Sequence, residues 1–174
     1  MSADILIREL LKNEFERLGE LMVAVYGKLP GFPNEQEQPG YYQMLRNIGE
    51  FSRKPDTEVL VALSSTNELL GGVVYFSDMA QYGSGGTATR EINASGIRLL
   101  GVGETARGKG IGRALTQACI QRAKAQGHNQ IILHTTEAMA VAWRLYQNLG
   151  FLRSEDLDFV QQELPVFGFR LKLN

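Results

Sequence analysis

Leu99-Leu100-Gly101-Val102-Gly103-Glu104-Thr105-Ala106-Arg107-Gly108-Lys109-Gly110-Ile111-Gly112 decides how this 174-residue chain is read. An apolar, strand-like run ends at Val102. A glycine-rich turn follows, with Arg107 and Lys109 set among Gly108, Gly110 and Gly112, and a helical pattern starts straight after it. A helix start has unpaired N–H groups and the positive end of a dipole. Glycines let the backbone approach a phosphate with no Cβ in the way. The stretch reads as a site for a pyrophosphate.

Working outward, Ile97 to Val102 is the strand that leads in. Ile111, Ala114, Leu115, Ala118, Cys119 and Ala123 recur on one helical face, and Gly127 can cap that helix. Cys119 falls on the buried face and reads as a small core residue. Gln130 to His134 is the next strand. Thr136 is placed to cap a further helix, whose apolar face is Val141, Ala142, Leu145, Tyr146 and Leu149, ending at Gly150. Phe151 to Phe159 and Val166 to Leu173 read as two closing strands. Upstream, Ile5 to Leu10 is a first strand. Asn13 with Glu16 resembles a capping box before a helix that Gly27 closes. Residues 28–40 are a Pro/Gly loop, and Tyr41 to Ile48 suggests a second short helix. Glu58 to Leu63 and Leu69 to Phe76 form a hairpin around a short polar turn. Tyr82 to Gly86 is a glycine-rich loop. The order is β-α-α-β-β-β-α-β-α-β-β, which calls for a mixed sheet: antiparallel in the first half, with parallel pairing around the helix at 110–126.

Composition narrows the functional classes. One domain is the expectation at this length, and a core of this size needs no disulfide or metal staple. One cysteine rules out an internal disulfide and suits a reducing, cytoplasmic setting. A net charge of −1 argues against a general nucleic-acid binder. No apolar run approaches a membrane span, and the first residues lack a signal-peptide pattern. His128 and His134 fall at opposite ends of one strand with no accompanying cluster, so no metal site is expected.

Two nucleotide signatures nearly fit the opening stretch. Gly103 to Lys109 resembles a P-loop, but Gly110 stands where that loop needs a magnesium-binding hydroxyl. Gly101-Val102-Gly103-Glu104-Thr105-Ala106 matches the dinucleotide fingerprint, yet no helix opens there, and the acidic ribose ligand would fall inside the next helix.

A third pattern fits better. Arg107-Gly108-Lys109-Gly110-Ile111-Gly112 resembles the Arg/Gln-x-x-Gly-x-Gly/Ala acyl-CoA motif of the GNAT superfamily of N-acetyltransferases. Leu145-Tyr146-Gln147-Asn148-Leu149-Gly150-Phe151 is similar to that family's Leu-Tyr-x-x-x-Gly-Phe signature. The resemblance implies one N-acetyltransferase domain over residues 1–174, of α/β (α+β mixed-sheet) class. Its largely antiparallel sheet of six to seven strands is flanked by four helices and splayed between the strand ending near Val102 and the strand near 130–134. It implies acetyl-CoA as cosubstrate and no metal. The main chain of Arg107, Gly108, Lys109, Gly110, Ile111 and Gly112 would hold the pyrophosphate, with Leu100 and Val102 along the pantetheine arm. The Leu100 N–H would face the thioester oxygen, and Tyr146 would be the general acid.

Two positions depart from the family pattern. Ser95 and Gly96 stand where many members carry a glutamate base, and Met139 replaces an asparagine. Glu91, Glu104, His134, Glu137 and Asp158 are the remaining candidates for the base. The expected activity is acetyl transfer to the primary amine of a small molecule or a protein, by a monomer or homodimer that engages neither nucleic acid nor membrane. A catalytically weak or inactive acyl-CoA-binding sensor or partner-binding module of the same fold is the alternative. Acceptor contacts are expected from residues 26–45, 77–95 and 153–165, where Glu155, Asp156 and Asp158 form an acidic cluster.

Overall fold

The computed structural model describes residues 4–173. In chain order the elements are β1 (Leu6–Glu9), α1 (Phe15–Gly27), α2 (Pro39–Arg46), β2 (Thr57–Leu63), β3 (Leu69–Phe76) and β4 (Ala94–Val102). Then come α3 (Ile111–Ala125), β5 (Gln130–Thr135), α4 (Ala140–Asn148), β6 (Leu152–Arg153), β7 (Phe159–Gln161) and β8 (Leu164–Lys172). The sheet runs β1-β2-β3-β4-β5-β8-β6, with β7 paired to β8 off this path. Every pairing is antiparallel except β4 with β5. This is the mixed, largely antiparallel sheet with four α-helices that the element order called for.

Both faces of the sheet are covered, so its central strands are apolar over most of their length. Alternate residues of β2 serve the two sides. Val59, Val61 and Leu63 pack with Leu18, Met22 and Leu45 of α1 and α2, while Leu60 and Ala62 pack with Leu115 and Cys119 of α3. The α3 face is the one read from the sequence, and Cys119 is fully buried in it.

Four local readings need correction. The first helix starts through a 3-10 turn at Lys12–Glu14, and Glu14, not Glu16, reaches back to the Leu11 N–H at 2.9 Å. Asn13 lies inside that turn and caps nothing. Glu14 is drawn there because Arg8 clasps its carboxylate with two bonds, of 2.9 and 2.8 Å. Thr136 does not cap α4 with its side chain; the N-cap is Met139. Val141 faces solvent, 81% exposed, while Tyr146 takes the buried side. Phe151 to Phe159 is not one strand but β6, a 3-10 turn at Glu155–Leu157, and the start of β7. Asp158 forces that break: its carboxylate accepts from the Gly168 N–H at 2.7 Å and from Arg153.

One irregularity shapes the centre. Gly72 faces Gly101 and Val74 faces Arg98, so β4 carries one more residue than β3 over this interval. Leu99 takes up the extra length with φ of +59°, a left-handed conformation that costs a side-chain-bearing residue about 1–2 kcal/mol. A bulge bends its strand. The parallel pairing of β4 with β5 stops just before it, at Ile97 with Leu133. From Arg98 onward β4 stays with β3, while His134 and Thr135 stay with β8. The sheet is open between them, where the splay was expected.

Candidate active site

The glycine turn sits at one end of this opening. The Gly103 N–H donates to the Leu70 carbonyl at 2.8 Å, anchoring the end of β4. Gly108 and Gly110 have φ of +76° and +78°, values only glycine holds without strain, and open space lies where a side chain would stand. Arg107 to Gly110 are exposed. Among the described residues, none of the N–H groups from Arg107 to Gly112 donates to a backbone carbonyl. Buried Ile111 pins the helix start to the core. A Cβ on Gly112 would lie 3.3 Å from Leu145, 3.7 Å from Val102 and 3.8 Å from Leu100. The first turn of α3 therefore touches α4 and β4 together. Free donors, two cations and a dipole end make this a cradle that fits a pyrophosphate.

Where the strands part lies a cavity of about 440 Å³. Leu100 and Tyr146 both line it, so the structure brings these two sequence-selected residues together, while residues 107–112 lie outside its wall. The Tyr146 ring is buried and meets Phe151 edge-on at 5.7 Å. Burial pushes its phenol well above the ordinary range, with Cys119 and Tyr82 adding to the effect, so the hydroxyl keeps its proton at neutral pH. The Tyr26 hydroxyl donates to the Leu100 carbonyl at 2.8 Å, tying α1 to the open part of β4. Tyr26, Phe32 and Tyr41 form a cluster of mutually tilted or edge-on rings along one wall. Tyr42 instead belongs to the core and bonds the Pro33 carbonyl.

The five candidate bases separate clearly. Glu91 pairs with Arg170, Glu104 with Lys28 and Asp158 with Arg153. Glu137 is exposed. His134 lines the cavity. Its Nε2 is 2.8 Å from the Leu157 carbonyl, which fixes the proton on that nitrogen and leaves Nδ1 to accept from the Tyr82 hydroxyl at 2.8 Å. Burial lowers the His134 pKa, against a smaller upward pull from the Leu157 carbonyl, so the ring is neutral at pH 7. The glutamate position holds Gly96, and the Tyr82 ring fills the space beside it. Ser95 turns the other way, its hydroxyl 2.7 Å from that of Tyr75 and 2.6 Å from His128 Nδ1. Two of the three carboxylates in the acidic cluster are engaged, Asp156 by Arg170 and Asp158 by Arg153, while Glu155 is exposed.

Arg98 is a cavity residue that sequence reasoning passed over, whereas Tyr26 and Tyr82 fall in the stretches 26–45 and 77–95 from which acceptor contacts were expected. The available signal was Arg98 itself, a charge inside the apolar run Ile97 to Val102. Among the described residues no cluster of His, Cys, Asp or Glu could hold a metal ion, and no helix is long and apolar enough to cross a membrane.

An open mixed sheet with a glycine cradle beside the opening defines a class, and comparison with known proteins identifies it. Residues 11–151 match the model of the acetyltransferase (GNAT) family, and the chain belongs to that family. It is 42% identical over 57 residues to mycothiol acetyltransferase of Thermobispora bispora, a match covering 33% of this chain and 19% of that protein. Human N-acetyltransferase 8B is 38% identical over 55 residues, 32% of this chain and 24% of the relative. The matched stretches thus span about a fifth to a quarter of those relatives' length. Among solved structures, the PaiA N-acetyltransferase of Thermoplasma acidophilum in complex with coenzyme A superposes with a TM-score of 0.75 at 17% identity, covering 98% of this chain and 99% of the other. YncA of Salmonella typhimurium, solved with acetyl-CoA, gives 0.68 at 18% identity over 98% and 94%.

Proposed function

We propose that this chain is a single-domain, cytoplasmic N-acetyltransferase that moves an acetyl group from acetyl-CoA to a primary amine by direct attack. The observation that supports this reading is the parting of β4 and β5, beside a cavity that Leu100 and Tyr146 both line. The cradle at Arg107, Gly108, Lys109, Gly110, Ile111 and Gly112 holds the pyrophosphate, and Leu100 and Val102 guide the pantetheine arm through their main chain. When bound, acetyl-CoA supplies the acetyl group: a nitrogen–carbon bond forms as the carbon–sulfur bond breaks, one proton leaves nitrogen and one reaches sulfur. The Leu100 N–H faces the thioester oxygen and stabilises the charge that develops on it. Tyr146 donates the proton to sulfur. A phenol held in its protonated form by burial suits that task.

His134 takes up the amine proton through Tyr82. The Tyr82 oxygen receives a proton from nitrogen as its own passes to Nδ1 of the neutral imidazole, along the hydrogen bond that already joins them. This relay supplies a base without a carboxylate at residue 96.

Release of free CoA thiol, followed across a panel of amines for the wild type and Tyr146→Phe, tests the reading. Turnover that falls on the order of 10²-fold in the variant is expected. Equal turnover at saturating acetyl-CoA removes Tyr146 from the mechanism. Tight acetyl-CoA binding with no amine turned over replaces the enzyme by a binding module.

A further inference from the structure

Among the described residues the cavity holds one permanently charged side chain, and it has no counter-ion there. Arg98 lies on β4 directly after the last pair with β5 and is half-buried. The other half-buried arginines, Arg8, Arg122, Arg153 and Arg170, all sit in ion pairs. Arg98 forms none among the described residues, and no Asp, Glu or Lys lines the cavity beside it. One N–H donates to the Tyr82 carbonyl at 3.0 Å and another reaches the Met44 thioether at 3.6 Å. The guanidinium also rests against the Tyr82 ring, 5.9 Å from its centroid. These contacts hold the fork in place yet leave most of its five donors unused. A half-buried charge without a partner is costly, so its retention in a cavity points to a partner that arrives with the ligand. A second polar group there is also unsatisfied: the buried Thr136 Oγ1 has no hydrogen-bond partner.

We infer that the acetyl acceptor carries a carboxylate beside its amine, bound by Arg98, and an apolar body set against the ring wall of Tyr26, Phe32 and Tyr41. The substrate class is an amino acid with an apolar or aromatic side chain. A planar guanidinium pairs with a carboxylate through two parallel hydrogen bonds, a geometry an isolated amine does not offer. Arg98 and Leu100 are two residues apart with the Leu99 bulge between them, so their main chains lie within roughly 7 Å, the reach of an extended chain. That spacing lets a carboxylate held at Arg98 leave its own amine within reach of a thioester at Leu100. Arg98 exchanges no proton in this role; it binds and orients. The inference rests on the acetyltransferase reading but is separable from it.

Calorimetric titration in the presence of CoA tests the inference without requiring turnover. Phenylalanine and leucine are compared with their decarboxylated twins, phenethylamine and isopentylamine. The wild type is expected to bind at least one amino acid roughly 10- to 150-fold more tightly than its twin, the span of a charge-assisted hydrogen-bonded pair. Arg98→Gln is expected to abolish that ratio, and Arg98→Lys to restore part of it. The melting temperature of each variant, with and without acetyl-CoA, reports whether it folds. Equal or tighter binding of the twins by the wild type, no binding of either amino acid, or a ratio that survives in a folded Arg98→Gln protein overturns the inference. Thiol release from amines without a carboxylate leaves the acetyltransferase reading standing. No release from any acceptor that binds removes that reading alone.

Discussion

The Tyr82 ring occupies the space a side chain at Gly96 would need: a Cβ there would lie 2.5 Å from Tyr82 Cδ1 and 2.8 Å from Met79 Sδ. Gly96→Ala must therefore displace a fully buried aromatic ring. A loss of about 1–3 kcal/mol is expected, the usual cost of overpacking, read from the urea unfolding midpoint. Thiol release should fall as well, since Tyr82 also holds the contacts to His134 and Arg98.

In the proposed mechanism, fold and chemistry separate at Tyr146. Its hydroxyl makes no hydrogen bond among the described residues, while its ring is packed against Phe151. Tyr146→Phe keeps the ring, so the melting temperature should change little while turnover drops. An equal fall in both would make the residue structural.

His134 gives the protein a pH signature of its own. Burial lowers its folded pKa below the unfolded value of 6.5. Between those two values the unfolded chain binds the proton and the folded chain does not, so stability declines as pH falls from about 6.5 toward the folded pKa. Below the folded value this contribution levels off. Denaturant unfolding at pH 7.5, 6.5 and 5.5, all about the range above carboxylate titration, should show the decline in the wild type. His134→Gln should flatten it.

Gly110 tests the cradle. With φ of +78° and open space around it, an added methyl group meets no atom, so Gly110→Ala acts through backbone strain alone. A cost of about 1–2 kcal/mol is expected. The KM for acetyl-CoA should rise severalfold while kcat holds, measured by thiol release.

The parts of this fold that could be read from sequence are those set by local chemistry. The glycine turn, the α3 face around Cys119 and the β2–β3 hairpin each depend on residues close together in the chain, and each stands where the pattern placed it. Distant partners produced the differences. Asp158 breaks the expected closing strand because it serves Arg153 and Gly168, and Glu14 resets the first helix because Arg8 holds it. In the candidate site Leu100 and Tyr146 were legible through their motifs. The Tyr82–His134 contact spans 52 residues and the Tyr26–Leu100 contact 74, beyond the reach of any periodicity.

Leu99 is a surplus residue in its strand. Arg98 meets Met44 and Tyr82 on the side of the sheet where Leu99 is also buried, and Leu100 turns to the other. Deleting Leu99 would leave every other residue of β4 on its present side and make the strand regular. Such a strand would run on beside β5 and complete a ladder that now stops at Ile97. The shortened protein should melt at a higher temperature and no longer respond to acetyl-CoA. On the proposed function, the native chain carries a fault line whose cost in resting stability is offset by its capacity to admit acetyl-CoA.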